Sequence, residues 1–465
     1  MNLKECQVFT PLETVNYMLD LIEYSDGIFR KKIIDYSCGY GNFLVEIVRR
    51  FIEDGLAQNN SKTKIKNALQ KCIWGCDIDD NCVKNCINNL NCIASEYGIC
   101  SVNWRICKCD GLYFDEENMF DYVVGNPPYI SYLNLDRDTR RKTKENFVSC
   151  SKGKFDYFYA FIEKGLQLLK TNGLMVMISP INMFKTVFAE NLRNIIKPEL
   201  TQVIDCSTMK IFDEVLTSPA ITVYKKGTLS NALVYKELKK SNIETERIID
   251  KSALSGKWNF TDYTVGGKNR FGDYYKVSNC IATLANRVFI HTENQYGELG
   301  IDVEKGALKI AVSPKSEQFS IKQKIIFPYY YRNGKLKNYS EEEITKKYPK
   351  LMDFLTSKKQ ELMQRDSDKN AKWFEFGRSQ ALSHINQRKL LISTIITKKI
   401  RVYDLDASVV PYSGIYIIPR NNASLDDAKL ILQTERFYNY LFSKGVKVSG
   451  DSFRISSKDI EDYKY

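Results

Sequence analysis

An amide, two prolines and a phenol stand in a row at Asn126-Pro127-Pro128-Tyr129. Proline fixes φ and carries no backbone N–H, so the carbonyls of this stretch can accept hydrogen bonds from something outside the backbone ladder. Asn126 adds a side-chain carbonyl just before them, and Tyr129 a flat aromatic face just after. Two acceptors beside an aromatic platform suit a planar ring with an exocyclic amino group, whose N–H bonds they take while the ring stacks. A structural turn at a strand end is the plainer reading of four such residues alone, so the surroundings must decide.

Those surroundings are strand ends. Tyr122-Val123-Val124, closed by Gly125, reads as a short buried strand running into the Asn-Pro-Pro-Tyr loop. A first strand runs into Asp35-Tyr36-Ser37-Cys38-Gly39-Tyr40-Gly41-Asn42-Phe43, whose glycines permit a tight turn and close approach of a ligand. A second ends at Asp77-Ile78, an acid placed to bind both ribose hydroxyls beside an apolar residue that can cover an adenine face. A third leads to Asp110-Gly111, where Asp110 can accept from an adenine amino group. Four successive strand ends thus carry ligand-type residues, as binding at the carboxyl edge of an open α/β sheet requires.

The elements that must position these residues follow from periodicity. Candidate strands are 32–36, 72–76, 104–108, 121–124, 174–179, 202–205 and 220–224, with helices over 43–53, 81–92 and 156–169 between them. This alternation predicts an α/β domain with a mostly parallel sheet. Residues 58–66 read as a surface loop, and the basic run 137–144 as either a solvated helix face or a phosphate contact. Composition turns polar around 226–260, so the boundary is placed there, giving domains 1–230 and 231–465; the second mixes short strands with a helix over 341–365. The chain of 465 residues is 43% hydrophobic and carries a formal charge of +12, which supports a large core and fits a polyanionic partner. No run approaches the ~18 apolar residues of a membrane span, and the first residues lack a signal-peptide core, so a cytoplasmic protein is expected. The 13 cysteines form no C-x-x-C pair and only two histidines exist; reduced, buried thiols are expected and no metal site.

On these motifs the chain resembles the gamma-class N6-adenine DNA methyltransferases. Phe9-Thr10-Pro11 matches their Phe-Thr-Pro element, Asp35 to Phe43 their S-adenosylmethionine loop (with Tyr36 where proline is usual), Asp77 and Asp110 their ribose and adenine ligands, and Asn126 to Tyr129 their catalytic motif. Phe212, in Met209-Lys210-Ile211-Phe212, looks like the second stacking face. The segments 277–283, 286–289, 324–328, 373–378 and 450–454 look like a TaqI-like target-recognition domain. The resemblance implies a Rossmann-like S-adenosylmethionine-dependent methyltransferase domain followed by a mixed α+β DNA-specificity domain. It implies a cofactor site of Phe9, Thr10, Pro11, Asp35, Ser37, Cys38, Gly39, Gly41, Phe43, Asp77, Ile78, Asp110 and Gly111, and a catalytic site of Asn126, Pro127, Pro128, Tyr129 and Phe212.

The implied reaction is methylation of adenine N6 in double-stranded DNA. Asn126 Oδ1 and the Pro127 carbonyl accept the amino N–H bonds of a base flipped out of the stack. Tyr331, Arg332, Lys335 and Lys337 form a candidate DNA contact strip, though a solvated hairpin is an equal reading; Arg378 either meets phosphate or braces the domain through Glu375. The Phe-Thr-Pro element begins at residue 9, which disfavours a fused nuclease and leaves room for a separate restriction endonuclease as partner; the working form is expected to be a monomer. Protein-glutamine methyltransferases share Asn-Pro-Pro-Tyr, and an inactive DNA-binding subunit is the alternative from another class.

Overall fold

The computed structural model describes residues 10–209, 211–212, 218–239, 242–260, 266–301, 304–449 and 452–465. The chain divides into two compact units: residues 1–260 with 446–450, and residues 261–445 with 451–465.

The first unit is built on a nine-stranded sheet. Its strands are β1 (Ile33–Asp35), β2 (Ile73–Asp77), β3 (Arg105–Lys108), β4 (Phe120–Gly125), β5 (Leu169–Pro180), β6 (Leu200–Asp205), β7 (Pro219–Lys225), β8 (Ala232–Lys239) and β9 (Asn242–Asp250). They lie in the order β3-β2-β1-β4-β5-β7-β6-β8-β9. β3, β2, β1, β4 and β5 are parallel, and β7 enters antiparallel between β5 and β6. All seven strands expected from the apolar runs are present.

Alternation sorts each strand's side chains onto two faces. Ile33, Val124 and Val176 join one apolar cluster with α1 (Leu12–Leu21), α2 (Asn42–Ala57), α3 (Lys62–Cys72) and α4 (Asp80–Glu96). Ile34, Val123, Met175 and Met177 join the other, with Phe158, Phe161 and Ile162 of a later helix, α6 (Phe158–Leu168), that follows α5 (Arg137–Asn146). Cys38, Cys72 and Cys86 are buried in the first cluster, as small apolar residues. The chain runs outward from β1 to β3 and returns to the other side of β1 at β4. The β1/β4 junction is therefore the point where strand order reverses, the place where open α/β sheets bind ligands.

Three expectations are corrected here. The unit boundary falls at 260/261 rather than 230/231, because β8 pairs parallel with β6 and carries β9 with it. The loop over 58–66 is shorter, because Ser61 caps α3 by accepting from Lys64 N. The helix over 341–365 is three short ones, 341–347, 349–357 and 359–363, broken where Pro349 cannot donate into a continuing helix.

The second unit is mixed α+β. One antiparallel sheet orders Tyr275–Asn279, Ile415–Pro419, Lys389–Ile392 and Tyr403–Leu405. A second joins Ile290–His291, Gln323–Ile326, Leu308–Val312 and Val410–Pro411. Tyr329–Arg332 and Lys335–Asn338 make a hairpin closed by Asn333 and Gly334, both at positive φ, as a two-residue turn demands. Among the described residues no helix is long and apolar enough to cross a membrane.

Candidate active site

β1, β2, β3 and β4 deliver their carboxyl ends to one pocket. It is lined by Thr10, Asp35, Tyr36, Ser37, Cys38, Gly39, Tyr40, Asn42, Phe43, Asp77, Ile78, Asp79, Asp110, Gly111, Asn126, Pro127, Pro128, Ile130, Tyr157 and Phe161.

The loop after β1 is held by hydrogen bonds to its neighbours. Cys38 N donates to the Cys76 carbonyl (3.0 Å) and Gly39 N to Asp77 Oδ2 (3.0 Å). Gly41 turns the chain into α2 at φ +87°, and a Cβ there would stand 2.7 Å from Cys86 Sγ, so both conformation and space require glycine. Gly111 is needed for approach alone: its Cβ would fall 2.0 Å from the Tyr36 carbonyl oxygen. Tyr36, where proline was the expected type, is buried. Its hydroxyl donates to the Phe161 carbonyl (2.5 Å) and its ring stacks on Phe161 at 5.7 Å, so it ties the loop to α6.

The donor set fits S-adenosylmethionine. Ser37 Oγ is buried in the pocket wall and has no hydrogen-bond partner among the described residues. Asp77 accepts from Gly39 N and Asp79 N through different oxygens, and each oxygen keeps a lone pair for a ribose hydroxyl. Asp110 accepts from Leu112 N through Oδ1 alone, so Oδ2 can take an amino N–H. Ile78 is 44% exposed although it lines the pocket, an apolar face that an adenine ring can cover. Charge is concentrated here. Burial pushes the Asp35 carboxyl up to about 7; the Asp77 charge adds to this and the Ser37 N–H opposes it. Burial also raises Asp110.

Asn126 follows β4 directly, and its Nδ2 donates to Thr10 Oγ1 at 3.1 Å, which orients the amide. Thr10 is tied in turn to α2, because Asn42 Nδ2 donates to its carbonyl (3.2 Å). Tyr129 donates to the Ile178 carbonyl (3.1 Å) and meets Phe212 edge-to-face, at 6.2 Å and 71°. The structure thus pairs Tyr129 with Phe212, but as touching rings in the core rather than as two parallel faces, and both lie outside the pocket lining. Pro11 is exposed as the N-cap of α1, and its carbonyl accepts from Val15 N (2.9 Å). Phe9 lies outside the described residues. Tyr40, Asn42, Asp79, Ile130, Tyr157 and Phe161 line the pocket without having been singled out from the sequence. Asp79 had a signal, since an acid two residues beyond Asp77 that caps α4 must sit at the same strand end. Tyr157 and Phe161 had only helical spacing, which reads as core.

In the second unit the hairpin register places Arg332 opposite Lys335 and Lys337 opposite Tyr330, so the three cations share one exposed face. Tyr331 points the other way and donates to the Leu382 carbonyl (2.5 Å), a structural tie. Arg378 does brace the unit, but through Asp368 (3.0 Å) and Asp366 (3.1 Å). Glu375 instead accepts from Asn338 Nδ2 and Lys372 N.

A parallel sheet with an antiparallel β7, bearing a nucleoside-type pocket at its switch point, makes the first unit a Rossmann-like α/β domain; the second unit is mixed α+β. Comparison with known proteins agrees. Residues 56–212 match the family model described as Eco57I restriction-modification methylase. The chain is 22% identical over 97% of its length to the Type II methyltransferase M.BstVI of Geobacillus stearothermophilus, covering 88% of it. It is 24% identical over 86% of its length to the Type II restriction enzyme and methyltransferase RM.Eco57I of Escherichia coli, of which it spans about half, 50%. In fold it is similar to the Type IIL restriction-modification enzyme MmeI, solved in complex with DNA: TM-score 0.64, 13% identity, 97% of this chain and 64% of that one.

Proposed function

We propose that this chain is a gamma-class, site-specific DNA methyltransferase that methylates adenine N6 in double-stranded DNA, using S-adenosylmethionine, in the cytoplasm. One observation carries the reading: Asn126-Pro127-Pro128 lines the same pocket as Asp77, Asp110 and the glycine loop, so an amino-group acceptor faces a nucleoside-type site. The similarity to Type II methyltransferases supports DNA as the substrate.

Bound S-adenosylmethionine supplies an electrophilic methyl on a sulfonium. This chain's residues do the rest. The adenine N6 lone pair is delocalised into its ring, so the amine is a poor nucleophile. Asn126 Oδ1 and the Pro127 carbonyl accept its two N–H bonds and return electron density to nitrogen. The Thr10 hydroxyl, by accepting from Asn126 Nδ2, holds Oδ1 toward the substrate. No histidine base is called for; positioning and fixed dipoles carry the step. The target atom cannot be reached in a stacked duplex, so the base flips out, and stacking on Tyr129, with Phe212 swung from its edge-on position, offsets part of the unstacking cost. The second unit acts as a TaqI-like recognition domain, and the enzyme works as a monomer.

The test is methyl-sensitive sequencing of DNA from a methylation-free host expressing this chain, beside Asn126→Ala. The expected result is N6-methyladenine in one short motif, reduced by roughly 10²–10³ in the variant. Near-normal methylation by Asn126→Ala would overturn the mechanism; methylcytosine, or no DNA methylation from folded protein, would overturn the substrate.

A further inference from the structure

Four cations converge on one open cleft of the second unit: Lys315, Lys398, Lys399 and Arg401, with no carboxylate in its wall. None of the four is in an ion pair or a side-chain hydrogen bond among the described residues. Elsewhere in this unit Arg270, Arg287, Arg378, Arg388 and Lys324 each hold a carboxylate. The cationic turn is built rather than loose. Ile395 and Ile396 pair antiparallel with Arg454 and Phe453, Thr397 Oγ1 lies 2.8 Å from Ser452 Oγ, and Lys399 N donates to the Thr397 carbonyl (2.7 Å). Lys398 sits at φ +54°, a left-handed conformation uncommon for a side-chain-bearing residue, which turns consecutive lysines outward.

Four like charges, none of them held by a carboxylate, repel one another, and the arrangement becomes favourable when a polyanion lies across them. The same segment also walls a second open cleft with Thr434, Glu435 and Tyr438, so Lys398, Lys399 and Arg401 stand on a ridge between two grooves, the second of which carries one carboxylate. A ridge suits an extended anion better than an enclosed metabolite.

We propose that the Lys398–Arg401 turn, with Lys315, is a contact site for the phosphate backbone of duplex DNA. It takes consecutive phosphates and reads no bases. This rests on the DNA-methyltransferase reading above, and it assigns the backbone contact to residues other than the Arg332–Lys337 hairpin.

The experiment is fluorescence anisotropy of a labelled duplex with the full chain over a series of KCl concentrations. It compares wild type, Lys398→Gln/Lys399→Gln/Arg401→Gln, the equally discharged Arg332→Gln/Lys335→Gln/Lys337→Gln, and Arg378→Gln. Each phosphate contact adds about 0.9 to the slope of log K against log salt, so the turn variant should lose about 2.7 of slope and on the order of a hundredfold in affinity near 0.15 M salt. The hairpin variant should lose less than half as much, and Arg378→Gln, already held by two carboxylates, should lose nothing. Single Lys398→Gln and Lys399→Gln variants, each expected to lose about 0.9 of slope, keep the test open if the triple variant unfolds. An unchanged slope, or equal loss in turn and hairpin variants, overturns the site. Tight pyrophosphate binding abolished in the turn variant, with duplex binding unaltered, overturns it in favour of a small-anion site. Methyl transfer assayed alongside separates the two readings. Transfer with an unaltered slope refutes the contact alone; no transfer with a lowered slope refutes the methyltransferase and leaves the contact standing.

Discussion

Replacing Asp35 with asparagine should make the protein more stable at neutral pH than it is with the native acid. Asp35 ends β1 with 2% of its surface exposed, and its carboxyl is pushed from 3.8 up to about 7, chiefly by burial, with the Asp77 charge adding and the Ser37 N–H opposing. The folded state therefore holds this proton more tightly than the unfolded chain does. The stability it contributes is fully present below about pH 4, is lost as pH rises toward 7, and changes no further above that. Each pH unit between those limits is worth about 1.4 kcal/mol, so going from pH 5 to pH 8 costs the wild type about 3 kcal/mol from this group. The asparagine of the variant cannot ionise, yet its Oδ1 can still accept from Ser37 N, as Asp35 Oδ1 does, so the loop keeps its hydrogen bond. Other groups titrate alike in both proteins and cancel in the difference. Urea unfolding followed by tryptophan fluorescence, dominated by the first unit's Trp74, Trp104 and Trp258, measures it. The advantage of Asp35→Asn should grow by about 3 kcal/mol between pH 5 and pH 8 and level off beyond. Parallel profiles for the two proteins would refute the argument, because they would mean that Asp35 is ionised throughout.

Further outcomes concern the cofactor loop and the Tyr129 ring. Gly111→Ala puts a methyl group 2.0 Å from the Tyr36 carbonyl oxygen, so the backbone carrying Asp110 must move; titration calorimetry should show S-adenosylmethionine affinity down tenfold or more, and unaltered affinity would mean Asp110 does not hold the cofactor. Tyr129→Phe loses the bond to the Ile178 carbonyl but keeps the ring, at a cost of about 1 kcal/mol in stability, and should keep methyl transfer within severalfold. Tyr129→Ala removes the stacking face, worth about 1–3 kcal/mol, and should lower kcat/KM some ten- to hundredfold. Equal losses in the two variants would argue against stacking.

Local chemistry wrote much of the first unit into the sequence. Short apolar runs mark β1 to β7, closed by glycine at β4 and proline at β5, and Asp35, Asp77, Asp110 and Asn126 could each be read as a strand-end residue because a side chain at or just past the end of such a run has only the sheet edge to occupy. The second unit was less legible. Its strands are short, its cations alternate with aromatics, and no local feature distinguished Arg378, bound to Asp366 and Asp368, from an arginine free to meet phosphate. Nor did the sequence single out Lys398, Lys399 and Arg401, since a turn shows its unpaired charges only once its neighbours are known.

What tertiary structure alone decided is adjacency. Strand order places β4 beside β1, which brings Asn126 to Thr10 across 116 positions and joins four strand ends into one pocket. Pairing with β6 gives β8 and the solvent-facing edge strand β9 to the first unit, although their polar composition reads as a boundary. Tyr157 and Phe161 become pocket wall only because α6 packs over the β1 loop through Tyr36. The physical reason is common to all three. Element type is set by side chains within a few residues of one another, whereas pairing and packing depend on contacts between distant segments, whose energies belong to the folded arrangement and not to any local stretch.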